Sequence, residues 1–274
     1  LSAQGSPRYK IGLQLYTIRD AMANDPLGSL KAAKDMGYED FETYGYQTDT
    51  DTFYGYKSAE FKRILDDLGL NTSSGHYSFF DHIDNAESMK RFVEGCIVGA
   101  KNTGQDYITW PLLPPDWRNL EGFKKLPEIL NKIGAKVKEA GLTFAYHNHG
   151  YEFYDLGGTT GYEFVMKETD PKLVKIQLDM YWSAHDSKKS TEQIIATDPG
   201  RFVMWHIKDM DKKSRDYTEL GNGSINYHQV LSKSSQEALE YYFLEQGGNY
   251  AQDSMTSIKA SIDYFKKELI SYLS

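Results

Sequence analysis

Residues 120–149 read LEGFKKLPEILNKIGAKVKEAGLTFAYHNH, and two kinds of order follow one another in them. From Leu120 to Ala140 the apolar residues recur at helical period. Gly141 comes next, a residue free to take the left-handed conformation that ends a helix. Thr143 to His149 then switches to a period of two, with Phe144 and Tyr146 on one face and Thr143, Ala145, His147 and His149 on the other. Helix, glycine stop and strand make one unit, and the chain repeats it. Strands are expected at Lys10–Tyr16, Tyr38–Thr43, Leu70–His76, Asp106–Trp110, Leu142–His149, Leu173–Asp179, Phe202–Lys208 and Tyr241–Glu245. Helices are expected at Pro26–Met36, Ser58–Leu68, Ala86–Thr103, Leu120–Ala140, Thr191–Ala196 and Ser254–Leu269, with further glycine stops at Gly37 and Gly69. No Pro/Gly/Ser-rich linker interrupts the series. The reading is one α/β domain over residues 10–274, a closed (β/α)8 TIM barrel, with residues 1–9 as an N-terminal extension. The competing doubly wound sheet lacks support, because no G-x-G-x-x-G follows the first strand.

Composition narrows the function classes. With 274 residues, 40% hydrophobic and 26% charged, the chain can bury a full core and is not disordered or fibrous. Its net charge of −8 opposes a surface that tracks phosphates, so no nucleic-acid partner is expected. Cys96 is the single cysteine and cannot form an intrachain disulfide, and no apolar run reaches the length of a membrane span. The chain starts at Leu1, and Leu1-Ser2-Ala3-Gln4 has the small-residue character of a signal-peptide cleavage site. That start raises the expectation of an exported, periplasmic protein, with a cytoplasmic one as the alternative.

Parity selects the residues that carry chemistry. Gly12, Gln14 and Tyr16, Asp40 and Glu42, Ser74 and His76, His147 and His149, Lys175, Gln177 and Asp179, Met204, His206 and Lys208, then Phe243 and Glu245 share the inward faces of their strands. Tyr16, Glu42, His76, His147, His149, Asp179, His206, Lys208 and Glu245 fall at strand C-termini, the end where a (β/α)8 barrel keeps its active site. Any one acidic residue there reads as a helix cap or turn residue. Gathered in one pocket, carboxylates and imidazoles repel one another and lose hydration, which a divalent cation relieves. An O/N donor set without thiolate suits one Mn²⁺, Mg²⁺, Co²⁺ or Zn²⁺. Tyr16, Trp110 and Trp182 read either as core aromatics or as walls of a sugar pocket. His82, His185 and His228 have no parity partner and read as surface residues.

Gln14–Arg19, Gly75-His76, Tyr146-His147-Asn148-His149, Leu178–Trp182, His206-Ile207-Lys208-Asp209, Glu219–Gly223 and Leu244-Glu245-Gln246 together resemble the xylose isomerase-like TIM barrels, the sugar phosphate isomerase/epimerase group. The resemblance runs over essentially the whole chain. It implies one divalent metal held by a residue from each of strands five to eight, here His147, Asp179, His206 and Glu245. The departure is His147, where sugar epimerases carry Glu; His149, two residues on, is the alternative ligand.

The chemistry implied is metal-assisted removal of a proton beside the carbonyl of a keto sugar, through an enediolate. Glu245, His147, His149, Lys208 and Glu42 are the catalytic candidates. Tyr16, His76, Trp110, Trp182, Lys208 and Glu152 are the substrate-binding candidates. Isomerase or epimerase is one outcome; a lyase or dehydratase acting on a 3-keto sugar, glycoside or inosose is the other, favoured by the missing glutamate. A non-catalytic carbohydrate-binding barrel and a metal-dependent phosphodiesterase are weaker alternatives, the latter opposed by charge. The partner expected is a small sugar or sugar derivative, and a homo-oligomer stays open. No Gly-rich phosphate cradle or Arg pair follows strand seven or eight, and the nearest candidate, Glu219–Gly223, is acidic, so an unphosphorylated sugar is expected.

Overall fold

Eight parallel strands close on themselves in the computed structural model, which describes residues 9–273. They are β1 (Gly12–Gln14), β2 (Asp40–Thr43), β3 (Asn71–His76), β4 (Tyr107–Trp110), β5 (Thr143–His147), β6 (Val174–Asp179), β7 (Phe202–Ile207) and β8 (Tyr241–Leu244). Each pairs with its neighbour in sequence, and β8 returns to β1 through Gly12↔Phe243 and Leu13↔Leu244. Gly12 permits that closure: a Cβ there would lie 2.2 Å from the Tyr242 carbonyl oxygen. The expectations about Leu1–Gln4 fall outside the described residues. Tyr9 already packs in the core, edge-on to Tyr242.

All eight expected strands are present with trimmed ends. The largest trim is at β1, which stops at Gln14 because its side-chain oxygen accepts the Tyr16 N–H at 3.0 Å and turns Leu15–Ile18 into a 3-10 helix. Tyr16 therefore leaves the inward face and sits at the rim, 44% exposed. The expected helices form too. Leu120–Glu139 is capped by Asn119, whose side chain accepts the Gly122 N–H at 3.0 Å, and it buries Phe123, Leu126, Leu130, Ile133 and Val137. The C-terminal helix Ser254–Tyr264 continues as a wider turn over Phe265–Leu269 and lies against the outer wall, where Tyr38 donates to the Ile258 carbonyl at 2.8 Å.

Alternation splits the apolar residues into two bodies. The large one fills the space between strands and helices, while a small one inside the barrel joins Tyr107, Ala145, Val203, Met204 and Phe243. This inner plug is the floor on which the polar residues of the strand C-termini rest. Two short hairpins decorate the chain after β2 and β7: Thr52–Phe53 with Tyr56–Lys57, and Asp209–Met210 with Tyr217–Thr218. Among the described residues no helix is long and apolar enough to cross a membrane.

Candidate active site

Glu42 is the hub of the barrel interior. It is fully buried, and its Oε1 meets Gln14 Nε2 at 2.7 Å, His206 Nε2 at 2.5 Å and His76 Nε2 at 3.0 Å. Its Oε2 accepts from Ser74 Oγ and Gln177 Nε2, each at 2.6 Å. Burial alone would raise this carboxyl; the imidazoles of His76 and His206 outweigh burial and hold it well below the usual range. Every contact follows from parity, since all six residues face inward from β1, β2, β3, β6 and β7.

A second layer sits on this one. His206 turns its Nδ1 to Glu245 Oε2 at 2.6 Å, so the ring lies between two carboxylates. Burial opposes its charge, but Glu42 and Glu245 raise it to about 10. Lys208 Nζ lies 3.0 Å from Asp179 Oδ2 and 3.1 Å from Glu245 Oε2, and these carboxylates overcome burial to keep it charged. Asp179 divides its oxygens: Oδ1 caps the helix Met180–Asp186 by accepting the Trp182 N–H at 3.0 Å, and Oδ2 faces Lys208.

His147 completes the group. Gln177 Nε2 donates to Glu42, which fixes the amide and leaves Gln177 Oε1 to accept from His147 Nδ1 at 2.9 Å. Burial first, then the neighbouring imidazoles, keep the His147 ring neutral. Its Nε2 therefore presents a lone pair, 3.5 Å from Asp179 Oδ2. Lys208 is the cation on that Asp179 oxygen, and a divalent ion between the two facing acceptors would serve both. Among the described residues, two groups of side chains bring ligand atoms within 4.8 Å of one another: Asp179, His206 and Glu245, and His76, His147 and His206. The donors fit a divalent ion without thiolate ligands, with Glu42 holding the far nitrogen of His206 as an outer carboxylate.

The remaining expectations divide. His149 stands beside His147, stacked on Tyr151 and 5.7 Å from the Trp182 ring; burial lowers it to about 3, so it is neutral. His76 and Trp182 also border the cluster. Trp110 does not: Thr109 takes the inward position of β4, so Trp110 points outward, fully buried, stacked on Phe79 and donating to the Leu112 carbonyl. Glu152 is likewise no substrate contact, because its oxygens are spent on Tyr146 Oη at 2.7 Å and the His149 N–H at 2.8 Å. Glu42 is spent too, and a carboxylate holding five partners has no oxygen left for a substrate proton. His228 is exposed as expected, while His82 and His185 are half-buried against Phe92 and Tyr181. Sequence reading missed Tyr217, whose ring lies 5.1 Å from Lys208 Nζ. It sits on a strand of two residues, too short to show a period.

The model of the xylose isomerase-like TIM barrel matches residues 30–267. The chain belongs to that family. A sugar phosphate isomerase/epimerase from Parabacteroides distasonis is 26% identical, with TM-score 0.82 over 100% of this chain and 98% of that one. The zinc-bound IOLI protein shares the fold at 14% identity and TM-score 0.76, over 97% of this chain and 99% of that one. The inosose dehydratase of Clostridium perfringens is 27% identical over 146 residues, 46% of this chain and 47% of the dehydratase, so the match spans about half of that relative. Members of the family include sugar isomerases, epimerases and dehydratases.

Proposed function

We propose that this chain is a divalent-metal-dependent enzyme that removes a proton beside the carbonyl of a keto sugar. The observation that carries the reading is the Nε2 of neutral His147, 3.5 Å from Asp179 Oδ2 and beside His206 and Glu245. Asp179, His206, Glu245 and His147 would hold the ion, with Lys208 moving off the carboxylates it now bridges. The ion, Mn²⁺, Mg²⁺, Co²⁺ or Zn²⁺, would supply Lewis-acid polarisation of the carbonyl. Lys208 donates to the substrate oxygen that gains charge as the enediolate forms. His149 takes the proton from carbon, and Glu245 is the second acid/base group. His76 and Trp182 orient the sugar, and Tyr16 lines the mouth.

Metal-loaded protein incubated with a panel of keto sugars in D₂O tests this reading. Solvent deuterium should enter the carbon beside the carbonyl and be lost on chelation. His149→Gln should keep the metal and lose the exchange. A metal-replete protein that exchanges no keto sugar would end the proposal. Elimination is the second reading, favoured by His147 in place of the family glutamate and by the dehydratase relative. It predicts a conjugated carbonyl absorbing in the near ultraviolet, where epimerisation produces none.

A further inference from the structure

We infer that Gln177 is the positioning residue of this site: its amide holds His147 with the hydrogen on Nδ1 and so leaves Nε2 to face the ion. The ligand role of His147 rests on the function proposed above, whereas its tautomer does not. Gln177 lies inside the barrel on β6, completely buried, in register with His147 of β5 on one side and Met204 of β7 on the other. Its Nε2 stands 2.6 Å from Glu42 Oε2, and an ionised carboxylate only accepts, so this nitrogen donates and the amide cannot turn over. Gln177 Oε1 is thereby aimed at two imidazoles, His147 Nδ1 at 2.9 Å and His76 Nε2 at 2.7 Å. An amide oxygen has no hydrogen to give, so each of those nitrogens is the donor. Burial and the surrounding imidazoles keep His147 neutral, and a neutral ring with its hydrogen on Nδ1 has none on Nε2.

Glutamine meets all three partners at once. The position needs one donor for Glu42 and one oxygen for two N–H groups. A glutamate would set a second carboxylate against Glu42, and a leucine or methionine would leave a buried carboxylate oxygen and two buried N–H groups without this partner. The same amide decides between the two groups of side chains that could hold an ion. In the group of three imidazoles, His76 Nε2 and His147 Nδ1 already donate to Gln177, and His206 Nε2 lies 2.5 Å from Glu42 Oε1. What remains is the group of Asp179, His206 and Glu245, which His147 Nε2 faces from 3.5 Å off Asp179 Oδ2. A glutamate ligand has no tautomer to set, but a histidine in its place does. Gln177 gives His147 the acceptor that fixes a metal-bound histidine, without adding negative charge.

Nitrogen NMR on the full metal-free chain reads the tautomer directly, with the His147 signals assigned by their loss in His147→Gln. At neutral pH the wild type should show a hydrogen-bearing Nδ1 and a hydrogen-free Nε2. A hydrogen on Nε2 overturns the inference without any variant at position 177. Gln177→Met keeps the length of the side chain and removes its contacts to Glu42 and both imidazoles. It should mix the two His147 tautomers and weaken Zn²⁺ binding in calorimetry by roughly 10- to 100-fold, the usual cost of losing the partner behind a metal-bound histidine. A folded Gln177→Met that keeps the single tautomer, or the wild-type Zn²⁺ affinity, overturns the inference. If that variant does not fold, the wild-type spectrum decides. A wild type with the expected tautomer that binds no Zn²⁺ defeats the function proposed above, not the hold of Gln177 on His147.

Discussion

Asp40 and Glu42 are two residues apart on one strand, share its inward face, and are both almost completely buried, yet burial treats them in opposite ways. Glu42 meets two imidazoles, two amides and a hydroxyl, and its carboxyl is held low. Asp40, on the far side of the apolar plug, receives Ser73 Oγ at 2.5 Å on one oxygen and has no hydrogen-bond partner on the other. Burial raises it to about 7, against the weaker pull of Ser73 and Lys10. The difference teaches that inward carboxylates of a barrel are not equivalent: the cations and donors at the C-terminal end outweigh burial, and Ser73 and Lys10 at the N-terminal end do not.

The strongest way to break this comparison is Glu42→Gln. Removing one partner of a buried ionic network costs about 3–5 kcal/mol, so chemical denaturation should show a loss of that size, and deuterium exchange should fall with it. A variant as stable as the wild type would make Glu42 no hub at all.

Asp40→Asn should act in the other direction. Because the folded pKa of about 7 exceeds the ordinary 3.8, the folded state binds more protons between those values, and wild-type stability falls as pH rises through that window. The variant removes the slope: it should match the wild type near pH 4 and exceed it at pH 8 by at most roughly 4 kcal/mol. Denaturation midpoints that run parallel across this range would refute the assignment.

Metal binding sharpens the contrast further. At an ion concentration about 100-fold above Kd, linkage predicts roughly 2.7 kcal/mol of added stability. Thermal shifts with Mn²⁺ should show this gain undiminished in Asp40→Asn and absent in Glu245→Gln. Equal gains in both variants would place the ion elsewhere.

Ser73→Ala has the smallest expected effect. It should cost about 1 kcal/mol at pH 5, where Asp40 is protonated, and about 2 kcal/mol at pH 8, because a hydrogen bond to a charged acceptor is worth more. A loss independent of pH would mean Asp40 does not change charge in this range.

Parity made much of this legible before any coordinates. Period-two alternation in residues 143–149 and 175–179 put His147, Gln177 and Asp179 on one face, and the same rule collected Glu42, His206 and Glu245. It did not tell a hub from a reactant. Glu42 and Glu152 looked available because sequence shows a carboxylate but not its partners, and those partners come from up to 164 residues away. Trp110 went astray through composition: abundant aromatics hide which ring faces inward, although the alternation from Thr109 would have turned it outward. Tyr16 and Tyr217 sit where local hydrogen bonds, a Gln14 cap and a short hairpin, replace the strand period that parity needs.

The reach of the Glu42 network has a consequence for how the chain is made. A nascent protein exposes its N-terminal strands first. Glu42 is then in place well before Gln177 and His206, and β1 cannot find β8 until the last strand has emerged. Closing such distant pairs is slow, and a half-synthesised barrel holds a carboxylate facing an interior that has not yet received its counter-charges. The early half is therefore no independent folding unit. Fragments ending before β6 should stay open and depend on chaperones, whereas completion of β8 should trigger one cooperative closure.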